Sequence, residues 1–190
     1  MPITRTRVNK LSHSDTILYE IYMLRFSCGR LIREKWENER DAWVYLESFL
    51  VHYRNLIEFL GKPQNRLRQG DIHITNLWAL EGLAVPSWVN QVHGKAQPLW
   101  TKYEEQADRI SRYLQHCTTQ RVQLKDWLID EMNNEIGPLL SQVAQVLQPT
   151  NQLLEAVPAV QIWVAHSAST AVATFTTVLP IMPKPTNSTT

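Results

Sequence analysis

Between Asn38 and Gly61 the chain repeats apolar side chains at steps of three and four: Ala42, Trp43, Leu46, Phe49, Leu50, Tyr53, Leu56, Ile57 and Leu60. A helix with 3.6 residues per turn gathers these on one face, whereas a strand would throw neighbours to opposite sides. Asn38 offers a cap at the start, Gly61 a stop, and Pro63 lies just beyond. The stripe is built from large Leu, Phe, Trp and Tyr side chains, so it reads as broad and deeply buried. Fully burying one such side chain stabilises by about 1.5–3 kcal/mol before conformational entropy is subtracted. A chain with this helix must therefore supply other apolar faces to cover it.

The same spacing recurs along the sequence. From about Asp15 to Trp36 the stripe is Ile17, Ile21, Leu24, Cys28, Leu31 and Ile32, with Ser12, Ser14 and Asp15 as capping candidates. From about Leu99 to Thr119 it is Leu99, Tyr103, Ala107, Ile110, Leu114 and Cys117. From about Leu124 it is Leu128, Met132, Ile136, Leu139, Val143 and Leu147, running through Gly137-Pro138. An interior proline loses a backbone hydrogen bond and crowds the preceding turn, so a kink or break is expected there. Four amphipathic segments predict an all-α fold: a four-helix bundle, mainly antiparallel because the break at residues 37–40 is short.

Residues 61–98 interrupt the helical period with Gly61, Pro63, Gly70, Gly82, Pro86, Gly94 and Pro98. This long irregular connection between the second and third helices keeps Trp78, Leu80, Leu83, Val85, Trp88 and Val89, which marks it as packed. Ile72, Ile74 and Thr75 permit a short extended segment, and Trp78 and Trp88 are candidates to line a pocket. The organisation expected is an N-terminal arm at 1–14, a bundle domain at 15–148, and a charge-poor, Thr/Ala/Val-rich, partly disordered appendage at 149–190. From Ala156 to Pro183 there is no Asp, Glu, Lys or Arg. The run is long enough to span a bilayer, but Gln161, His166, Ser167, Ser169 and many threonines argue against a membrane segment.

With 190 residues, 44% hydrophobic and 19% charged, the chain is globular in composition. A net charge of +1 argues against a strongly cationic nucleic-acid binder, whose affinity comes from neutralising phosphates. Cys28 and Cys117 fit no metal-ligand or redox spacing, and no two histidines stand four apart on a helix. No metal and no cofactor is expected, and a reducing cytoplasm is the expected location. The first residues, Met1-Pro2-Ile3-Thr4-Arg5, lack the apolar stretch of a secretory signal.

No phosphate-binding glycine loop, HExxH or nucleophile elbow occurs. Two polar strips remain. Glu47, Arg54 and Glu58 share a face of the second helix and are spaced to form ion pairs. Arg109, Arg112 and His116 share a side of the third helix, with Arg121 beyond it. Arginine holds phosphate in a fixed fork and histidine exchanges protons near neutral pH, a pairing suited to metal-independent RNA cleavage. Arg109 and His116 also satisfy the Arg-x(4–6)-His spacing of the HEPN helical ribonucleases. Arg7 with His13, and Arg66 or Arg68 with His73, satisfy it too, so the spacing singles out no pair.

Three stretches form a set: Leu18-Tyr19-Glu20-Ile21-Tyr22-Met23-Leu24, then Glu47 through Leu60 (ESFLVHYRNLIEFL), then Ile110 through Arg121 (ISRYLQHCTTQR), followed by Trp127. Together they resemble a group of small helical bacterial proteins with an ESFLxHxRNLIxFL-like helix and a later RxxxHxTxxR-like helix. The likeness covers residues 15–147. It implies a helical fold in a bacterial cytoplasm and carries no established activity. Its motifs name Arg54 and Asn55, and separately Arg112, His116 and Arg121.

Two functions are expected from these observations. The first is a non-enzymatic helical bundle that binds a protein partner or self-associates. The alternative is a HEPN-like RNA-binding protein or ribonuclease, with Arg112 and His116 as the catalytic candidates and Arg54, Asn55, Arg109 and Arg121 as binding residues. It requires the two strips to face one groove. Association with a membrane is not expected.

Overall fold

The computed structural model describes residues 12–33, 37–115 and 127–157. Among these the fold is all-α, with no strand. The elements are α1 (His13–Ile32), α2 (Glu39–Gly61), a 3-10 turn at Gln64–Arg66, α3 (Leu77–Leu80), α4 (Val89–Gln115), α5 (Ile129–Ala144) and α6 (Asn151–Ala156). Helix α2 packs along α1 and also along α4, while α5 touches both α1 and α4, and α3 touches α1.

The capping residues act as their chemistry dictates. The Ser12 side chain accepts from the Asp15 backbone N–H at the start of α1. Asn38 accepts from Arg40 and Asp41 at the start of α2. Each satisfies donors that have no partner within the first turn. The buried face of α1 is Ile17, Leu18, Ile21, Leu24 and Cys28, and that of α2 runs from Phe49 and Leu50 through Tyr53, Leu56, Ile57 and Leu60. Burial raises the Cys28 thiol to about 12, with Asp130 adding to the effect, so it packs as a small hydrophobe.

Several details differ from the sequence-based expectation. The α2 stripe is buried only from Phe49 onward, and Trp43 is exposed. Nearby, Tyr22 and Phe26 stack at 6.1 Å, Tyr45 meets Phe26 edge-on, and the Arg30 guanidinium lies 5.5 Å over both the Phe26 and Tyr45 rings. Helix α4 starts at Val89 rather than Leu99 and runs through Pro98, and α5 is continuous through Pro138. Both prolines sit on exposed faces, as do Gly94 and Asn134 four residues before them. The carbonyl that each proline leaves without a helical donor thus faces water, while Val92 and Ala96 or Ile136 and Leu140 hold the other face in the core. The connection between α2 and α4 contains a 3-10 turn and α3, while residues 72–75, for which the sequence permits an extended segment, form irregular chain and a turn rather than a strand. The residues expected to close the first and third helices (Trp36 and Thr119) and to open the fourth (Leu124) lie outside the described residues.

Helix α6 is tied to the start of α1 by a buried carboxylate. Asp15 accepts from the Thr150 backbone N–H at 2.9 Å and from its hydroxyl at 2.5 Å. Thr150 in turn caps α6 by accepting from Leu153. Leu147 and Leu153, on either side of this clasp, are buried in the core.

Candidate functional site

Of the residues singled out in the sequence, Asn55 has the most developed surroundings. Its Nδ2 donates to Glu20 Oε2 on α1 at 3.1 Å, and the same oxygen lies 2.7 Å from His52 Nδ1. An ionised carboxylate only accepts, so Nδ1 is the donor in this contact. Tyr19 packs edge-on to this imidazole at 6.0 Å. The His52 and Glu20 side chains are 12% and 17% exposed, so the pair is largely withdrawn from water and bridges α1 to α2.

Asn55 also borders a groove of about 150 Å³, shared with Glu58, Phe59, Lys62, Leu67, Asp71 and Ile72. Lys62 Nζ lies 3.2 Å from both Glu58 Oε2 and Asp71 Oδ2. Asp71 is held below the usual carboxylate range, first by the Arg68 backbone N–H that it accepts and then by Lys62. The groove thus mixes apolar Phe59, Leu67 and Ile72 with a lysine paired to two carboxylates. Among the described residues, no three His, Cys, Asp or Glu side chains gather to hold a metal.

The second strip is not brought to this site by anything described. Arg109 and Arg112 fall on α4, but their side chains lie outside the described residues, as do the whole of His116 and Arg121. Arg54 is on α2, next to Asn55 in sequence. The expected groove uniting Arg54 with His116 therefore lies outside what is described.

Histidines that the sequence left scattered close the end of α2. His93 Nδ1 donates to the Leu60 carbonyl at 2.8 Å, the Ile74 N–H donates to Phe59, and the Lys62 N–H donates to Glu58. Three carbonyls that a helix end leaves without donors are thereby satisfied. His73 packs edge-on to His93 at 4.9 Å, with its Nδ1 accepting from Thr75. Burial pushes the His73 imidazole down to about 4, with the neighbouring His93 adding to the effect. At Gly61, an added Cβ would lie 2.5 Å from the Ala96 carbonyl oxygen and 2.8 Å from Trp100 Cβ. Gly61 is the last residue of α2, and its lack of a side chain lets α4 approach; Lys62 is the cap.

Beyond α3 the connection turns apolar side chains outward. Leu80, Leu83 and Val85 are 47%, 59% and 50% exposed, and Ala79 and Ala84 are exposed beside them. The segment is nonetheless fixed. The Leu83 N–H donates to Trp78 at 2.7 Å, Gly82 turns the chain at φ +71°, and the Trp78 and Trp88 rings pack edge-on at 5.3 Å beneath. Trp78 is buried, so the two rings form the base of the loop and pack against each other. The loop's one charge, Glu81, turns to α1, accepting from the Ser14 N–H at 3.1 Å and lying 3.2 Å from His13 Nδ1. The signal for this feature is in the sequence, as an apolar Leu80–Pro86 run broken by a single charge, but such a run by itself predicts packing, because apolar residues are usually buried.

No family model, no curated protein and no solved structure matches the chain. Among the described residues, no helix is long and apolar enough to cross a membrane.

Proposed function

We propose that this is a non-enzymatic helical-bundle protein whose loop 79–86 binds a polypeptide partner. The observation that carries the proposal is the loop itself: exposed Leu80, Leu83 and Val85 on a backbone held by hydrogen bonds and a tryptophan pair. Apolar side chains left in water contribute nothing to folding, whereas burying them on association is favourable. A fixed backbone also lowers the entropy lost on binding. The scaffold reads as a four-helix bundle, mainly antiparallel: contacts join α1 to α2, α2 to α4, α4 to α5, and α5 back to α1. The buried free thiol of Cys28 supports a reducing, cytoplasmic setting.

The test is photo-crosslinking in cells, with a photoreactive residue in place of Leu83 and, as a control, at exposed Gln97. The reading expects a discrete adduct to another polypeptide from position 83, absent from position 97 and abolished by Val85→Asp. Equal or no adduct formation at the two positions would overturn it.

A further inference from the structure

The docking loop has one charge and keeps it off its apolar face. Glu81 stands between Leu80 and Leu83 in the sequence, yet its side chain is only 21% exposed, whereas both leucines face water. Its Oε1 accepts from the Ser14 N–H at 3.1 Å and lies 3.2 Å from His13 Nδ1. His13 and Ser14 open α1, where backbone N–H groups have no acceptor within the helix and the helix dipole favours a negative charge. A carboxylate 67 residues away in sequence thus completes the start of α1.

The backbone of the loop is held without this contact. The Glu81 N–H donates to Leu77, the Gly82 N–H to Ala79 and the Leu83 N–H to Trp78. The contact with α1 therefore decides where the carboxylate lies rather than the path of the chain. With Glu81 drawn aside, the loop offers Leu80, Leu83 and Val85 to water. Residues 82–92, which continue from it, contain no Asp, Glu, Lys, Arg or His. Ser87, Asn90 and Gln91, also exposed, are polar without charge. A charged side chain brought against such a face loses hydration and gains no opposite charge from this stretch, whereas burying an apolar one is favourable.

We propose that the partner meets this loop with an uncharged, apolar segment, and that His13 and the start of α1 set this specificity by holding Glu81 off the binding face. The proposal rests on the loop being a docking surface. Glu81 is a positioning residue and not a contact. Released from α1, its carboxylate would stand beside Leu80 and Leu83 and would have to give up water when the partner docks.

The experiment uses the full chain in cells, with the photoreactive residue at position 83 and the crosslinked peptide sequenced by mass spectrometry. The expected peptide belongs to another protein and has uncharged, apolar neighbours around the crosslinked residue. His13→Glu sets a like charge beside Glu81 and drives its carboxylate off α1, while an acidic residue in the first turn remains favourable for the helix itself. It should lower the adduct about tenfold, as an uncompensated charge at an interface does, with little change in the urea midpoint. Adding Glu81→Gln should restore the adduct, and Glu81→Gln alone should change it little. A crosslinked peptide with charged neighbours, one from a second copy of this chain, or a His13→Glu variant that crosslinks normally overturns the proposal and leaves the loop a docking surface. A loss that Glu81→Gln fails to restore overturns it too, because the charge of Glu81 is then not the cause. If the unsubstituted loop gives no adduct, both readings fall.

Discussion

The connection between α2 and α4 treats apolar side chains in opposite ways in its two halves. Residues 61–78 are spent on closure: Gly61 admits α4, His93 and Ile74 satisfy the last carbonyls of α2, and Ile74, Leu77 and Trp78 are buried. Residues 79–83 are held by backbone hydrogen bonds, yet the loop turns Leu80, Leu83 and Val85 to water. Folding alone accounts for the first half, since each contact there satisfies a group or fills a space. It accounts less well for the second, where Leu80, Leu83 and Val85 leave about half of their surface in water. The contrast separates residues retained for the fold from residues available for recognition.

If the division is sound, perturbing the closed half should cost stability. The largest pH-dependent effect is expected at His73. Its ordinary value of 6.5 falls to about 4 in the folded chain, so folding favours the neutral ring. That contribution is fully present above pH 6.5 and is lost as pH falls towards 4, because the unfolded chain takes up the proton first. At about 1.4 kcal/mol per unit, the loss is on the order of 3 kcal/mol. Urea unfolding at pH 7 and pH 4 should show it, and His73→Gln should lose that part of the slope while carboxylate contributions persist. A profile unchanged by the substitution would mean that His73 is not held neutral. Next comes Gly61→Ala, whose methyl would meet the Ala96 carbonyl oxygen at 2.5 Å. Overpacking of this kind costs about 1–3 kcal/mol, read as a lower urea midpoint.

The core was legible because helical spacing carries it: Ile17, Ile21 and Leu24, or Leu56, Ile57 and Leu60, could face inward only on a helix. The length of α4 was not, because Gly94 and Pro98 are breakers by local rule and become tolerable only when the fold turns them outward. The contact of Asn55 with Glu20 spans 35 residues and depends on how α1 lies on α2. No local pattern encodes that register. Arg54 and Asn55 were therefore identifiable as polar positions beside a core stripe, but not the carboxylate that Asn55 shares with His52. For the exposed loop the signal was visible and its direction was not, since hydrophobicity is the same whether a side chain faces a core or a partner.

A smaller loss is expected at the clasp between α1 and α6. Asp15→Asn keeps the shape but removes the charge that accepts the Thr150 N–H and hydroxyl. A hydrogen bond to a charged group contributes roughly 1.5–3 kcal/mol and a neutral one about 1, so a destabilisation of about 1 kcal/mol should appear in urea unfolding. An unchanged midpoint would mean that α6 is not anchored through Asp15.

The smallest effect carries the most information. Leu83→Asp replaces a side chain that is 59% exposed and touches none of the closure described above. A surface substitution of this kind should move unfolding by no more than about 0.5 kcal/mol, while Leu77→Asp, six residues earlier and fully buried, should prevent folding by placing an unpaired charge in the core. The two measurements together test the boundary between the halves. A loss of several kcal/mol at position 83 would show that something already covers the loop in the isolated chain and contributes to its stability. In that event the loop belongs with the fold. A neutral Leu83→Asp that also abolishes the photo-crosslinked adduct in cells would separate recognition from stability at a single residue.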